Sequence, residues 1–272
     1  MAKRVTVRWS GDTELSLVHA AMSVAANERC TDPKTEQVLM SRVTAINNRL
    51  ASSGVDVGTF WRRLMQETAV SKSVTDRQRR QNSEIALAAG GASELQLEQT
   101  TSAVIRLLAE CRRAYTARYP KLDEQLVLRG GPLKDRWESY GQGLLGLIAH
   151  RIWDGSPPSD WWPPRISGVL IQPIRGGYGN IDAESQRFWM EAMLTDVDRE
   201  VPEVLRIAWL VSLIASEILT ADRSTATGQI VSLPWALGLV PIVLSAAAEL
   251  EITPGGQLPI ALAIGRWGAW SA

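Results

Sequence analysis

The sequence predicts a mainly α protein with a small β element, in an α+β arrangement. Apolar residues recur at helical spacing through most of residues 1–153, whereas strand patterns are confined to short segments. Residues 201–219 are apolar on nearly every side, which is typical of a buried helix. We therefore expect an N-terminal helical bundle and a C-terminal half in which a short sheet packs on an apolar central helix.

The N-terminal half begins with a predicted strand, because residues 3–9 alternate polar and β-branched apolar side chains. Four helical patterns follow it, at residues 13–29, 32–53, 60–69 and 94–119. Residues 70–92 are polar and basic and predict an exposed helix that ends in a flexible break. Arg77, Arg79 and Arg80 in that segment resemble a phosphate-binding run, but a solvated helix face is the favoured interpretation.

The middle of the chain contains two predicted interruptions. Gly130-Gly131-Pro132 indicates a turn before a helix at residues 133–153. Residues 154–168 contain four prolines and two glycines, which predict neither a helix nor a central strand. We place the boundary between an N-terminal region, 1–153, and a C-terminal α+β region, 169–272, in this Pro- and Trp-rich loop. One continuous domain is the alternative.

The C-terminal half combines one predicted strand with several apolar helices. Residues 169–174 indicate a strand and residues 175–180 a glycine-rich loop, while residues 183–194 fit either a helix or a strand. Pro202 and Glu203 suit the first turn of the central helix that follows. A last apolar helix is expected over residues 258–267.

Composition places the chain among soluble globular proteins. Residues 1–140 carry 21 Lys and Arg against 16 Asp and Glu, whereas residues 141–272 carry 8 against 13, so neither half is basic enough to predict nucleic-acid binding. Cys30 and Cys111 are too few for a disulfide framework, and the N-terminus has no secretory pattern. These observations favour a cytoplasmic protein with reduced thiols.

Residues 228–248 contain no charge, and their length suffices to span a bilayer. Pro234, Gly238 and Pro241 interrupt them, and no basic cluster flanks them. We favour a buried pair of helices broken by proline, with a membrane span as the less favoured alternative.

Signatures of metal and nucleophile chemistry are missing from the sequence. Its two histidines, His19 and His150, are far apart, and there is no HExxH, CxxC or GxSxG pattern. We predict no metal site and no cofactor, although a magnesium site made of carboxylates stays open. His150 fits a general base, but a histidine at a helix end is the favoured interpretation.

Tryptophan is unusually frequent, with 11 residues against two Phe and four Tyr. Trp161 and Trp162 lie in a Pro-rich loop where burying both is difficult, so they are candidates to contact a ligand or partner. Arg165, Arg175 and Tyr178 are further contact candidates beside them. The favoured alternative is that the tryptophans clamp the loop onto the C-terminal core.

Three charged residues in apolar surroundings are weak catalytic candidates. Glu191 follows Met190, while Arg206 and Glu217 lie about three turns apart on nearly one face of the central helix. Buried charges pair with each other or mark a functional site. A structural ion pair is favoured over a polar pocket.

One block of the chain is GPLKDRWESYGQGLLGLIAHRIW at 131–153, and a second is the segment 169–214, which contains the motifs "QPIRGGYG" and "PEVLRIAWL". Both blocks resemble a group of uncharacterised planctomycete proteins. The resemblance implies that these blocks form one unit and carries no activity. The order of strand, loop, acidic segment and apolar helix is similar to that around the active helix of zincin-type metallopeptidases. Residues 202–217 hold no histidine, so the likeness implies at most a metal-free relative.

These observations favour a non-catalytic interaction or scaffolding protein that binds another protein through the Trp–Pro loop and the basic helix near Arg77–Arg80. An enzyme or small-ligand binder with a carboxylate and arginine pocket is the first alternative. Membrane attachment through residues 228–248 is the second.

Overall fold

The computed structural model describes residues 5–71, 75–227, 234–254 and 256–267, with no side-chain description for 222–227. Over these residues the predicted fold class is confirmed, with nine helices and one mixed sheet of four strands. The chain forms two compact units. Residues Asp12–Gln125 form the first, here called the helical unit. The N-terminal strand and the chain from Leu126 form the second, the mixed unit.

The helical unit consists mainly of five helices. They are α1 (Thr13–Ala25), α2 (Pro33–Ser52), α3 (Val57–Val70), α4 (Asp76–Ala89) and α5 (Glu94–Arg118). Helix α1 is the central one, since residues 15–21 are buried without interruption and α1 packs against α2, α3 and α5. Side chains of Asp12, Asp32, Asp56 and Thr75 accept first-turn N–H groups and so fix where the first four helices begin.

The mixed unit surrounds a four-stranded sheet. Its elements are β1 (Thr6–Gly11), most of α6 (Leu122–Ile152), β2 (Arg165–Ile171), β3 (Gly179–Asp182), β4 (Arg187–Glu191), α7 (Glu203–Thr227), α8 (Trp235–Glu249) and α9 (Ile260–Trp267). The strand order is β1-β2-β4-β3; β3 runs antiparallel to β4, and the other pairs are parallel. Helix α7 packs on β3 and β4, α8 on α7, and α9 on α8.

The sheet explains why the two units divide at Asp12 and Gln125, and not at the boundary predicted at residues 154–168. Strand β1 pairs with β2 although the helical unit lies between them in the sequence. Trp9 is opposite Gly168, and Gly168 is opposite Phe188 on the next strand. Because Gly168 has no side chain, the rings of Trp9 and Phe188 approach to 5.7 Å in an edge-to-face contact. The N-terminal strand therefore belongs to a sheet built from residues beyond position 164.

Several local predictions need correction. The predicted turn at Gly130–Pro132 lies inside α6, where Gly130 meets β2 so closely that a Cβ would lie 2.4 Å from Leu170 Cδ1. Helix α8 likewise continues through Pro241 as a single helix. A proline removes one helical hydrogen bond, and α6 and α8 nevertheless continue through Pro132 and Pro241. Strand β2 begins at Arg165 and is central, inside the loop predicted to hold no central strand. The undecided segment 183–194 contains β4.

Helix α7 is buried as its apolar sequence predicts, since every residue from Val204 to Ser216 is buried. Among the described residues one segment, Glu203–Ala221, is long and apolar enough to cross a membrane, and 72% of its most apolar stretch is buried inside the protein. The candidate span at 228–248 is described only from residue 234 onward. There it consists of α8, which at 15 residues is shorter than a bilayer requires.

Candidate functional site

The helical unit contains a cavity of about 370 Å³ between four of its helices, here called the bundle cavity. Its interior wall is mainly apolar, and its volume lies in the range of small-molecule sites. The apolar lining residues are Leu17 and Val18 of α1, Leu64 of α3, and Ile105, Leu108 and Ala109 of α5. Because an engineered cavity of roughly 150 Å³ holds benzene, this volume has room for an aromatic molecule of more than two rings.

Helical periodicity brings these side chains together. Leu17 and Val18 lie three and four positions after Glu14 on α1, which places both on the same face as Glu14. The same spacing relates Ile105, Leu108, Ala109 and Arg112 on α5, and Arg79, Asn82 and Ser83 on α4. Each helix therefore presents a stripe to the cavity with a polar or charged residue at one end.

An ion-pair cluster closes the polar end of the cavity. Nε and Nη2 of Arg112 donate to Oε2 and Oε1 of Glu14, at 2.8 and 2.5 Å. Nε of Arg79 lies 3.4 Å from the same Oε1, and Nη1 of Arg79 donates to Asp76 at 2.7 Å. Hydrogen bonding to Glu14 raises the pKa of Arg112, so this guanidinium stays charged. Two guanidinium groups from different helices thus converge on one carboxylate.

The polar groups beside α4 are bonded to one another. The side chain of Asn82 accepts from Nε2 of Gln78 at 3.0 Å and exchanges hydrogen bonds with the hydroxyl of Ser71. The hydroxyls of Thr68 and Ser83 donate to backbone carbonyls of their own helices. The polar side chains of this wall therefore need few hydrogen bonds from a ligand. The two arginines are the main source of donors that a ligand could use.

The basic run of residues 77–80 is divided by this arrangement. Arg77 is exposed, as the predicted solvated face requires. Arg79 turns toward the cavity, and Arg80 pairs with Glu84 and Glu98. Sequence reasoning missed Glu14 and Arg112 altogether. The sequence did place each of these charges at helical spacing from the apolar stripe of its own helix. That the two charges pair, however, depends on how α1 packs against α5.

In the mixed unit, Glu191 is completely buried at the end of β4 and anchors the glycine-rich loop. Its Oε1 accepts the backbone N–H groups of Ile174 and Arg175, at 2.8 and 2.7 Å, and its Oε2 accepts that of Gly177 at 2.6 Å. Three N–H donors stabilise the ionised form of a carboxylate inside a protein. This geometry gives Glu191 a structural role in shaping residues 174–177.

Arg206 lies against the same loop and pairs with Glu203, one turn earlier on α7. The shortest distance, between Nη1 of Arg206 and Oε2 of Glu203, is 3.2 Å, and both side chains are buried. A Cβ on Gly177 would lie 2.3 Å from Nη2 of Arg206, so only glycine fits there, and its φ of +136° also favours glycine. Burial raises the pKa of Glu203, and the charge of Arg206 opposes that shift.

Tyr178 belongs to this cluster, whereas Glu217 and His150 do not. The carbonyl of Tyr178 accepts from Glu191 N at 2.9 Å and from Nη1 of Arg206 at 3.5 Å. Glu217 is exposed and lies about 16 Å further along α7 from Arg206. His150 is exposed in the last turn of α6. The structure therefore does not bring the four catalytic candidates into one site.

The Trp–Pro loop is not the exposed surface that its sequence suggests. Trp161 and Trp162 are both buried, with ring centroids 4.1 Å apart, and Trp153 meets Trp161 at 5.9 Å. The expectation that burying both is difficult is wrong, because the indoles stack on each other. Arg165 is exposed at the start of β2, and Arg175 lies 5.2 Å from the centroid of the Tyr178 ring.

The described residues contain no group of three or more His, Cys, Asp or Glu side chains placed to hold a metal ion. Comparison of the chain with family models, with curated proteins and with solved structures found no match. The function of the bundle cavity therefore has to be inferred from its own geometry.

Proposed function

We propose that this protein is a non-catalytic binding protein whose helical unit takes up a small, largely apolar molecule in the bundle cavity. One observation carries the proposal: a cavity of about 370 Å³ with an apolar wall, bounded at one end by the cluster of Glu14, Arg79 and Arg112. A volume and a mainly apolar wall of this kind are typical of small-molecule sites, which favours a ligand.

This proposal develops the small-ligand alternative and moves its site from the mixed unit to the helical unit. Binding to another protein through the Trp–Pro loop stays a prediction, and its support is weaker because the indoles of Trp161 and Trp162 pack inside the mixed unit. Two of the three arginines of the basic run are likewise paired with carboxylates. Cytoplasmic location, the protein partner and membrane attachment also stay predictions.

The proposal is tested by titration with N-phenyl-1-naphthylamine, a neutral dye that becomes fluorescent in apolar sites. We expect saturable binding of one dye per chain. Ala109→Phe fills the cavity from α5 and should weaken binding at least about tenfold, since a ligand would have to displace the new ring. Ala109→Met is a milder filling variant for the case in which the phenylalanine disturbs folding.

Ala117→Phe is the matched control, because Ala117 lies on the same helix two turns later, is exposed and does not line the cavity. It should bind the dye as the unmodified protein does. Dye binding that is not saturable, or that survives both substitutions at Ala109, would overturn the proposal.

A further inference from the structure

We infer that the ligand of the bundle cavity is an amphipathic monocarboxylate, with its apolar body between α1, α3 and α5 and its carboxylate bound by Arg79 and Arg112. This inference rests on the proposed function and adds the chemical class of the ligand. It is based on the hydrogen-bonding capacity and the charge balance at the polar end of the cavity.

Both arginines retain donors. A guanidinium carries five N–H groups, and the hydrogen bonds to Glu14 engage only Nε and Nη2 of Arg112. Arg79 donates through Nη1 alone, to Asp76. Within the described part of the chain, Nη1 of Arg112 and Nη2 of Arg79 donate no hydrogen bond. Two such groups on neighbouring helices suit the two oxygens of a carboxylate.

Asp76 shows where a ligand carboxylate would bind. Its side chain is 97% exposed, and it reaches Arg79 from three positions earlier on the same helix. An exposed pair at this spacing is weak and is easily exchanged for another anion. A ligand carboxylate that entered along the cavity would bind Nη2 of Arg79 and compete with Asp76 for that guanidinium, and a released Asp76 side chain would remain hydrated.

The charge balance favours a single negative charge. Without Asp76, the cluster of Glu14, Arg79 and Arg112 sums to +1. A monocarboxylate restores neutrality, whereas a doubly charged phosphate would leave excess negative charge beside Glu14. A cationic ligand is disfavoured because Arg112 engages both oxygens of Glu14.

The test compares naphthalene-2-carboxylate with naphthalene-2-carboxamide, two probes of the same shape that differ in charge. Each is used to displace N-phenyl-1-naphthylamine from the protein at neutral pH and fixed salt. We expect the carboxylate to displace the dye at concentrations at least about tenfold lower than the amide. Asp76→Asn should strengthen binding of the carboxylate and leave the amide unchanged, because Arg79 no longer has a competing anion.

Arg79→Met removes the guanidinium while keeping an unbranched chain, and should bring the two probes to within about twofold of each other. Arg113→Met is the matched control, since Arg113 adjoins Arg112 on α5 but is exposed and does not line the cavity. A carboxylate that binds no better than the amide in the unmodified protein, or a preference that survives Arg79→Met, would overturn the inference. Failure of the dye to bind would instead overturn the proposed function.

Discussion

The two units place the same chemistry, glutamate with arginine, in opposite settings. In the mixed unit, Glu191, Glu203 and Arg206 are at most 3% exposed. In the helical unit the side chains of Glu14, Arg79 and Arg112 are 13–28% exposed and border a cavity. The difference separates a cluster that holds a loop in place from one that retains donors for a ligand. Burial and residue type alone identify the first cluster, whereas a functional site also requires space and unused hydrogen-bonding groups.

The largest expected effect is in the buried cluster. Arg206→Ala leaves Glu203 buried without its cation and should lower the free energy of unfolding by about 3–5 kcal/mol. Urea unfolding followed by tryptophan fluorescence measures it, because among the tryptophans that the structure describes all except Trp61 belong to the mixed unit. The double variant Arg206→Met with Glu203→Met should be less destabilised than Arg206→Ala, because no uncompensated charge remains. A loss below about 1 kcal/mol for Arg206→Ala would contradict the ion-pair interpretation.

A smaller loss is expected when Glu191 is made neutral. Glu191→Gln keeps one acceptor oxygen but turns an NH2 group toward a backbone N–H of the loop, which should cost about 1–3 kcal/mol. Amide hydrogen exchange of Gly177 is the more specific measurement. Its exchange should accelerate relative to amides of β2, and unchanged protection of Gly177 would show that Glu191 does not anchor the loop.

The corresponding substitution in the helical unit should be milder. Arg112→Ala removes two hydrogen bonds to Glu14, but Arg79 stays nearby and water reaches the cluster, so we expect a loss of roughly 1–2 kcal/mol. Thermal unfolding followed by circular dichroism at 222 nm provides the measurement. Arg113→Ala on the exposed side of α5 is the control and should change stability by less than about 0.5 kcal/mol. Equal losses of stability in Arg112→Ala and Arg113→Ala would show that the ion-pair cluster stabilises the protein no more than an exposed surface arginine does.

The smallest effect is a pH dependence from Glu203. Burial raises the pKa of this carboxyl in the folded protein, so the native state binds its proton more tightly than the unfolded chain does. The contribution of Glu203 to the free energy of unfolding is fully present below the ordinary pKa of glutamate. It is lost as the pH rises through the raised pKa of the folded protein. Glu203→Gln removes this dependence, so its stability relative to the unmodified protein should increase with pH across that window. A difference that is constant from pH 4 to pH 7 would contradict it.

The fold class was predictable because periodicity depends on local sequence. The apolar run of α7 and the stripes of α1 to α3 and α5 require no knowledge of their neighbours. Long-range pairing was not predictable in this way. Strand β1 joins a sheet formed by residues beyond position 164, and the continuation of α6 through Pro132 depends on how closely Gly130 approaches β2. Glycine and proline in a sequence indicate that a helix would lose free energy at that position. Tertiary packing determines whether other interactions outweigh this loss.

The candidate site was the least predictable part for the same physical reason. Arg206 and Glu191 attracted attention because single charges inside apolar runs are visible in a sequence, and both lie buried against the glycine-rich loop. Glu14 and Arg112 lie in ordinary amphipathic helices, and their importance comes from an ion pair that spans 98 positions of the chain. Trp161 and Trp162 lie in a loop with exposed neighbours, yet stacking buries them.

The most direct test of a small-molecule site in the bundle cavity is methyl NMR of the protein titrated with N-phenyl-1-naphthylamine. We expect the largest shift changes at methyl groups lining the cavity, namely those of Leu17, Val18, Leu64, Ile105 and Leu108. Leu170 and Ile171 in the sheet should stay unchanged. Shifts confined to the mixed unit, or no saturable shifts at all, would contradict the proposal that this protein binds its ligand between the helices of residues 12–125.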